Sequence, residues 1–291
     1  MKGPESGTLF VVATPIGNLE DITLRALRVL REVAVVAAED TRRSGNLLRH
    51  FEIGTPLVSL HEHNERHRGR QLLARLQAGD SIALVTDAGT PGISDPGAAF
   101  VRLAREAGVR IEPIPGPSAV TAGLSVSGLG ADGFVFAGFP PIRSNDRKLW
   151  FERWFTRRDL ATILFEAPHR LKKTLSDLHH YLGNQPIYLA RELTKAHEEW
   201  LQGSTADLER LVGQPRGEFV ILIPPLEDAH EVSVKLGDAD VAALFGQMTK
   251  NNRVPRREAI RTIALKAGRS QRDVYSAIER EKNSVNKPGS A

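Results

Sequence analysis

Short apolar runs alternate with amphipathic segments along the first 125 residues. Leu9 to Ala13, Val33 to Ala38, Leu57 to Leu60, Ile82 to Val85 and Arg110 to Ile114 have strand length and are bounded by turn residues. Between them, Asp21 to Arg31 carries Ile22, Leu24, Leu27 and Leu30 close to one helical face. Glu39 to Arg43 leads into a helix ending near His50, and Glu65 to Gln77 and Gly97 to Glu106 read as further helices. Strand and helix in alternation predict a mostly parallel α/β domain.

Pro117 is placed to begin a helix through Ser125, after which the composition turns aromatic: Phe134, Phe136, Phe139, Trp150, Phe151, Trp154 and Phe155. Strands at Gly133 to Ala137, Thr162 to Phe165, Ile187 to Ala190 and Phe219 to Ile223 imply a second sheet, with the crossover around Ala122 to Gly133. The fold class is therefore α/β, in two α/β domains over residues 1–122 and 123–226. Leu226 to Leu236 reads as a linker. A small helical extension over residues 237–283 follows, with helices at Ala239 to Thr249, Pro255 to Lys266 and Ser270 to Glu281. Ser270 and Asp273 form a capping-box pattern with Asp in the acidic place. The last two helices resemble a helix-turn-helix, a pattern too common to imply DNA reading. Asn283 to Ala291 is expected to lack structure.

Charge alters this picture at one end only. Net charge is +4, but Lys235 to Ala291 holds 12 Lys/Arg against 6 Asp/Glu, leaving 27 basic and 29 acidic residues in the rest. A near-neutral body with a basic appendage points to a polyanion partner. The absence of cysteine excludes disulfides, thiolate zinc sites, iron–sulfur clusters and cysteine nucleophiles. No apolar run approaches the ~20 residues of a membrane span, and the N-terminal stretch has no leader-like core. A cytoplasmic location and no membrane contact are expected.

Candidate chemistry gathers after the strands. The segment Leu84 to Gly97, LVTDAGTPGISDPG, leaves the Ile82–Val85 strand with three Gly, two Pro and two Asp before a helix resumes. Loops after parallel strands line one sheet edge, so this loop, Thr14 to Asn18 and Pro115 to Ser118 face a shared cleft. Glycines allow close backbone approach and prolines stiffen the loop. None of these loops matches GxGxxG or GxxxxGK[ST], and none carries the basic residues a triphosphate needs, so a neutral or cationic nucleoside fits better. His61-Glu62-His63-Asn64-Glu65 lacks HExxH spacing and reads as a polar loop bordering the cleft, with no metal site assigned. Phe165 to Leu171, FEAPHRL, starts at a strand end and enters a helix, where Glu166 is placed to act as a base or hold a ribose hydroxyl and His169 and Arg170 to meet a phosphate. Helix-terminus capping accounts for the same residues. Arg191 to Trp200, RELTKAHEEW, packs polar residues after another strand and reads as either a solvated charge run or part of the site.

Taken together, ATPIGNLEDIT (13–23), AAEDTRRSGNLL (37–48), HEHNE, ALVTDAGTPGISDPG, PIPGPSA (113–119), FEAPHR and RELTKAHEEW resemble the small-subunit methyltransferase I family, the ribosomal RNA branch of the tetrapyrrole methylases. The resemblance spans nearly residues 8 to 223, in order. It implies two α/β domains with S-adenosylmethionine in the cleft between them, and a homodimer. It also implies methyl transfer to the 2′-hydroxyl of a cytidine ribose in 16S ribosomal RNA, on naked RNA or the small ribosomal subunit. Carried over position by position, the cofactor pocket includes Pro15, Asp87, Gly89, Thr90, Ser118, Ala119 and Phe165. The family supplies no general base. Position after cleft-facing strands offers Glu166 or His169 for the proton and Arg191 or Lys195 for a phosphate or a developing alkoxide. A same-fold enzyme acting on a small tetrapyrrole-like molecule is the alternative, disfavoured by the basic tail, Arg42, Arg43 and HEHNE. A non-catalytic RNA-binding protein is a third reading, opposed by the intact donor loop.

Overall fold

Strands β1 (Thr8–Val12), β2 (Val35–Ala38), β3 (Leu57–Ser59), β4 (Ile82–Val85) and β5 (Arg110–Ile114) form one sheet in the order β3-β2-β4-β1-β5, every pair parallel. The computed structural model describes residues 6–129, 133–155, 159–225, 237–251, 254–267 and 269–285. Every position of β2 and β4 is buried, because crossover helices cover both faces of a parallel sheet and continuous apolar runs result. Helices α1 (Leu24–Glu32) and α2 (Thr41–His50) bury Ala26, Val29, Leu30 and Leu48 against one face. On the other face, α3 (Glu65–Gln77) and α4 (Ala98–Glu106) contribute Leu72, Leu76, Phe100 and Ala104. The first of these helices starts at Leu24 rather than Asp21 because Thr23 caps it, accepting from the Ala26 N–H at 3.0 Å. Leu19–Asp21 is a separate 3₁₀ turn.

The second sheet is mixed. Its strands β6 (Phe134–Gly138), β7 (Ala161–Glu166), β8 (Ile187–Arg191), β9 (Glu199–Gly203) and β10 (Phe219–Ile223) run in the order β6-β7-β10-β8-β9, with only β6–β7 parallel. The last strand in sequence is thus the middle one, and it is buried throughout. Helices α5 (Ala119–Ser127), α6 (Ser144–Phe155), α7 (Pro168–Leu182) and α8 (Thr205–Leu211) accompany it. Pro168 opens α7 where no N–H is needed, and Leu171, Leu175, Leu178 and Leu182 form its buried stripe. The aromatics that marked the change of composition belong largely to α6, whose Phe151 and Phe155 join that core. Ile16, from the loop after β1, packs with Val120, Ile163, Ala190, Leu193, Val220 and Leu222, so both sheets share one cluster.

By contact, residues 1–156 with 161–224 form one compact unit and residues 157–160 with 225–291 another. In the second, α9 (Asp238–Gly246), a π turn at Gln247–Asn251, α10 (Arg256–Ala267) and α11 (Gln271–Val285) enclose Val241, Phe245, Ala259, Ile263, Val274, Ala277 and Ile278. Ser270 caps α11, accepting from the Asp273 N–H at 3.1 Å. This helix runs through Val285, beyond the end expected at Glu281. The expected linker and residues 286–291 lie outside the described residues. No described helix is long and apolar enough to cross a membrane.

Candidate active site in the cleft between the two sheets

The loops after β1, β2, β4 and β5 leave one edge of the parallel sheet, as strand polarity requires. With Phe139 after β6, Phe165 to Pro168 at the end of β7, Leu193, and Glu218 to Val220 at the start of β10, they enclose a cavity of about 380 Å³. The loop after β4 forms its wall and is tied to the loop after β1 by reciprocal backbone bonds. Thr14 N–H donates to Gly89 O at 2.9 Å and Gly89 N–H to Thr14 O at 3.0 Å. The Thr14 hydroxyl adds a bond to Thr86 O at 3.1 Å. Gly89 holds φ +83, a conformation that L side chains resist, and faces Ile16 and Pro117 with no side chain of its own. Gly97 (φ +116) starts α4 so close to Leu84 that a Cβ would fall 2.9 Å from Leu84 Cδ2.

Three carboxylates, Glu39, Asp87 and Asp95, share this wall. The Thr86 hydroxyl donates to Glu39 Oε2 at 2.8 Å. Burial, with the Glu39 and Asp87 charges, pushes the Asp95 carboxyl up to about 6 against the opposing hydrogen bond to Thr86. The Thr86 bond favours the charged form of Asp95, but burial and the two neighbouring carboxylates outweigh it. Asp87 is raised too, by burial first and then Glu39, although Asp40 N–H donates to it at 3.2 Å and Arg43 lies 3.3 Å away.

Six of the seven expected cofactor residues, Asp87, Gly89, Thr90, Ser118, Ala119 and Phe165, line the cavity. Pro15 is buried directly before Ile16, which does. The four residues expected to handle charge and proton do not converge. Glu166 reaches the cavity but its oxygens are occupied: Oε1 accepts from Ala167 N–H at 2.9 Å and faces Arg170 Nε at 3.3 Å, and Oε2 accepts from Thr174 Oγ1. Thr174 accepts in turn from Arg147 at 2.7 Å, while Arg147 and Arg170 donate to the carbonyls of Pro141 and Pro140. Glu166 thus anchors a buried network that fixes the segment after Phe139. His169 is exposed on α7 and outside the cavity lining. Arg191 is occupied by Arg216 O at 2.9 Å and Glu199 at 3.1 Å. Lys195 lies between Glu192 (2.9 Å) and Glu218 (3.1 Å); burial opposes its charge, but the two carboxylates outweigh burial and raise its pKa. RELTKAHEEW is therefore the hairpin joining β8 to β9, with Arg191 and Lys195 both paired to carboxylates.

Two other expectations also take a structural form. In HEHNE, Asn64 Oδ1 accepts from His61 N–H at 2.9 Å, and Glu65 accepts from Phe100 N–H at 2.9 Å, holding the start of α4. Arg42, offered for RNA, pairs with Asp40 at 2.8 Å. Sequence reasoning missed Glu39, Thr86 and Asp95 as one set, and missed Phe139, Leu193 and Val220 as cavity walls. Thr86 and Asp95 had a signal in the glycine-rich loop after β4, and Glu39 in its place just after β2; nothing in the sequence joined the three.

With Glu166 committed to this network, Glu166→Gln should keep the single-turnover rate within about threefold, well below the ~10²–10⁴-fold of a lost general base. It should also lower stability by about 1–3 kcal/mol, since Arg170 loses a charged partner. A melting curve beside a rate measurement checks this, and a large rate loss in a fully stable variant returns Glu166 to the chemistry.

The sequence profile of the tetrapyrrole (corrin/porphyrin) methylases matches residues 8–209. A Halalkalibacterium halodurans protein named ribosomal RNA small subunit methyltransferase I is 40% identical over 287 residues, covering 95% of this chain and 96% of the relative. The Pseudomonas aeruginosa protein of the same name is 50% identical over 224 residues, covering 75% and 79%. Among solved structures, uroporphyrin-III C-methyltransferase from Thermus thermophilus, complexed with S-adenyl homocysteine, superposes with a TM-score of 0.54 at 19% identity, covering 74% of this chain and 96% of that one. At that identity the likeness establishes the fold.

Proposed function

The chain belongs to the ribosomal RNA small subunit methyltransferase I family of the tetrapyrrole methylases, and on that premise we propose that it methylates the 2′-hydroxyl of a cytidine ribose in the decoding region of 16S ribosomal RNA. S-adenosylmethionine is the methyl donor, and the enzyme works as a cytoplasmic homodimer. The observation that carries this reading is the cavity itself. Its volume of about 380 Å³ falls in the ordinary range for small-molecule sites, roughly 300–1,000 Å³. Its wall offers bare backbone at Gly89 and carboxylates at Glu39, Asp87 and Asp95, and the arginine in its lining, Arg43, is paired to Asp87. Such a wall suits a cationic nucleoside and repels a polyphosphate.

Asp87, Gly89, Thr90, Ser118, Ala119 and Phe165 would hold the donor, with Pro15 behind them. When bound, S-adenosylmethionine supplies an activated methyl group on a sulfonium. The protein must align a hydroxyl with it and remove one proton. We assign that proton to Asp95, whose raised pKa lies closer to neutrality than any ordinary carboxylate. The Thr86 hydroxyl bonds its carboxyl, and the nearby Glu39 charge raises its basicity.

Two consequences for pH follow. A base must start deprotonated, so transfer should rise through about pH 6 and then level off. Stability should move the other way. The folded chain keeps the Asp95 proton above the ordinary carboxylate pKa of about 3.9, so its contribution falls as pH climbs from there to about 6. A rate profile without an inflection near that value removes Asp95 from the role. The assignment as a whole is tested by incubating the protein and labelled donor with small subunits from a strain lacking this methylation, then mapping the product by mass spectrometry. A ribose methyl on a decoding-region cytidine is expected. Methylation of a tetrapyrrole with none on RNA overturns it.

A further inference from the structure

In the helical unit three arginines are tied into the fold, and Arg257, Arg261 and Arg272 are exposed without an ion pair among the described residues. Arg256 pairs with Glu279 at 2.7 Å and lies over the rings of Phe245 and Tyr275. Arg269 and Arg280 both reach Asp238, at 2.9 and 3.2 Å. These three tie α9, α10 and α11 together. Arg257 and Arg261 behave differently. Both are exposed, both line a groove with Pro255, Glu258 and Gln271, and among the described residues neither makes an ion pair. The carboxylate of Glu258, in the first turn of α10, pairs with neither of them.

Arg257 and Arg261 stand one helical turn apart, where like charges work against the helix that carries them. Arg256, Arg269 and Arg280 are spent on holding the helices together, but Arg257 and Arg261 share a groove with no carboxylate among the described residues bound to either. Across the groove, Gln271 offers an amide at the first position of α11. A guanidinium fork matches phosphate with two parallel hydrogen bonds, and two forks on one face can follow a phosphate chain. The sequence around them keeps the excess of 12 basic over 6 acidic residues from Lys235 onward.

We propose that the groove lined by Arg257, Arg261 and Gln271 is an RNA phosphate-binding surface, one that supplies affinity for the substrate strand and takes no part in methyl transfer. The proposal rests on the RNA reading of the preceding subsection. It assigns these two arginines to backbone contacts, which position an RNA without reading its sequence.

The test uses the full-length chain and a fluorescein-labelled RNA hairpin of the decoding region, with binding followed by anisotropy between about 50 and 200 mM KCl. Each phosphate that the protein no longer neutralises should lower the slope of log K against log salt by about 0.7–0.9. Arg257→Gln with Arg261→Gln should therefore lower it by roughly 1.4–1.8 and weaken binding most at low salt. Arg257→Lys with Arg261→Lys keeps both charges and should keep most of the slope. Calorimetry with S-adenosylmethionine should give the parent affinity for both variants. A Gln variant with the parent's slope overturns the proposal, and so does a slope change accompanied by equal loss of donor affinity, which would mean general damage. The activity is judged separately. If the parent methylates RNA and the slope does not change, only the groove assignment falls. If the slope changes but no RNA is methylated, the groove stands and the enzymatic reading falls.

Discussion

Asp95→Asn should slow single-turnover methyl transfer by about 10²–10⁴-fold, the usual worth of a positioned general base, and should abolish the rise in rate through pH 6. Asparagine matches aspartate in shape and can still bond Thr86, so the wall of the cavity should survive. It cannot accept a proton. Donor affinity, read by calorimetry, should therefore stay near that of the parent while the chemical step fails. Glu39→Gln is the control: it removes a charge that raises Asp95, so the inflection should move to lower pH while the rate on the plateau changes little. A full rate in Asp95→Asn would move proton transfer to solvent or to the RNA itself.

The second large effect concerns donor binding. Gly89→Val places a β-branched side chain at φ +83, in a region where non-glycine residues cost about 1–3 kcal/mol. A loop that relaxes to escape this strain must regain it to bind, so affinity should fall by roughly 5- to 150-fold. Space is not the difficulty, because a Cβ there meets Ile16 Cγ2 at an ordinary 3.5 Å. Gly89→Ala should therefore show a weaker form of the same defect. The fold should not stay wholly untouched, since Gly89 also bonds Thr14 in both directions. A modest drop in melting temperature should accompany the weaker affinity. Parent-like calorimetry in the Val variant would take this loop out of the donor site.

The parallel sheet is legible in the sequence because its strands are buried on both faces. Ile82–Val85 and Val35–Ala38 read as unbroken apolar runs, and few other structures give them. The glycine-rich loop after β4 follows from the same logic, since strand polarity decides which sheet edge receives it. The mixed sheet is harder. Strand β9 shows Glu199 and Gln202 outward at a sheet edge, so it hides in a charge run. The proton-handling set fails for a different reason. Position after a strand says where a carboxylate sits, not which partners occupy its oxygens. Glu166 looks available in sequence, but Arg170, Thr174 and Ala167 surround it in the fold. Asp95 looks like loop chemistry, but in the fold Glu39 shares Thr86 with it, 47 residues away along the chain from that threonine.

The central place of β10 in the second sheet bears on how the chain is made. Strands β7 and β8 are not neighbours until Phe219–Ile223 enters between them, pairing with one on each side. Translation at about 5–20 residues per second therefore leaves an interval in which β6, β7, β8 and β9 have been made and the strand that joins them has not. Unpaired strand edges are templates for wrong pairing, so the nascent chain should depend most on chaperones in that interval. A ribosome stalled after β9 has emerged but before Phe219–Ile223 has emerged should yield a protease-resistant parallel sheet and a protease-sensitive remainder. Release after residue 224 should protect both.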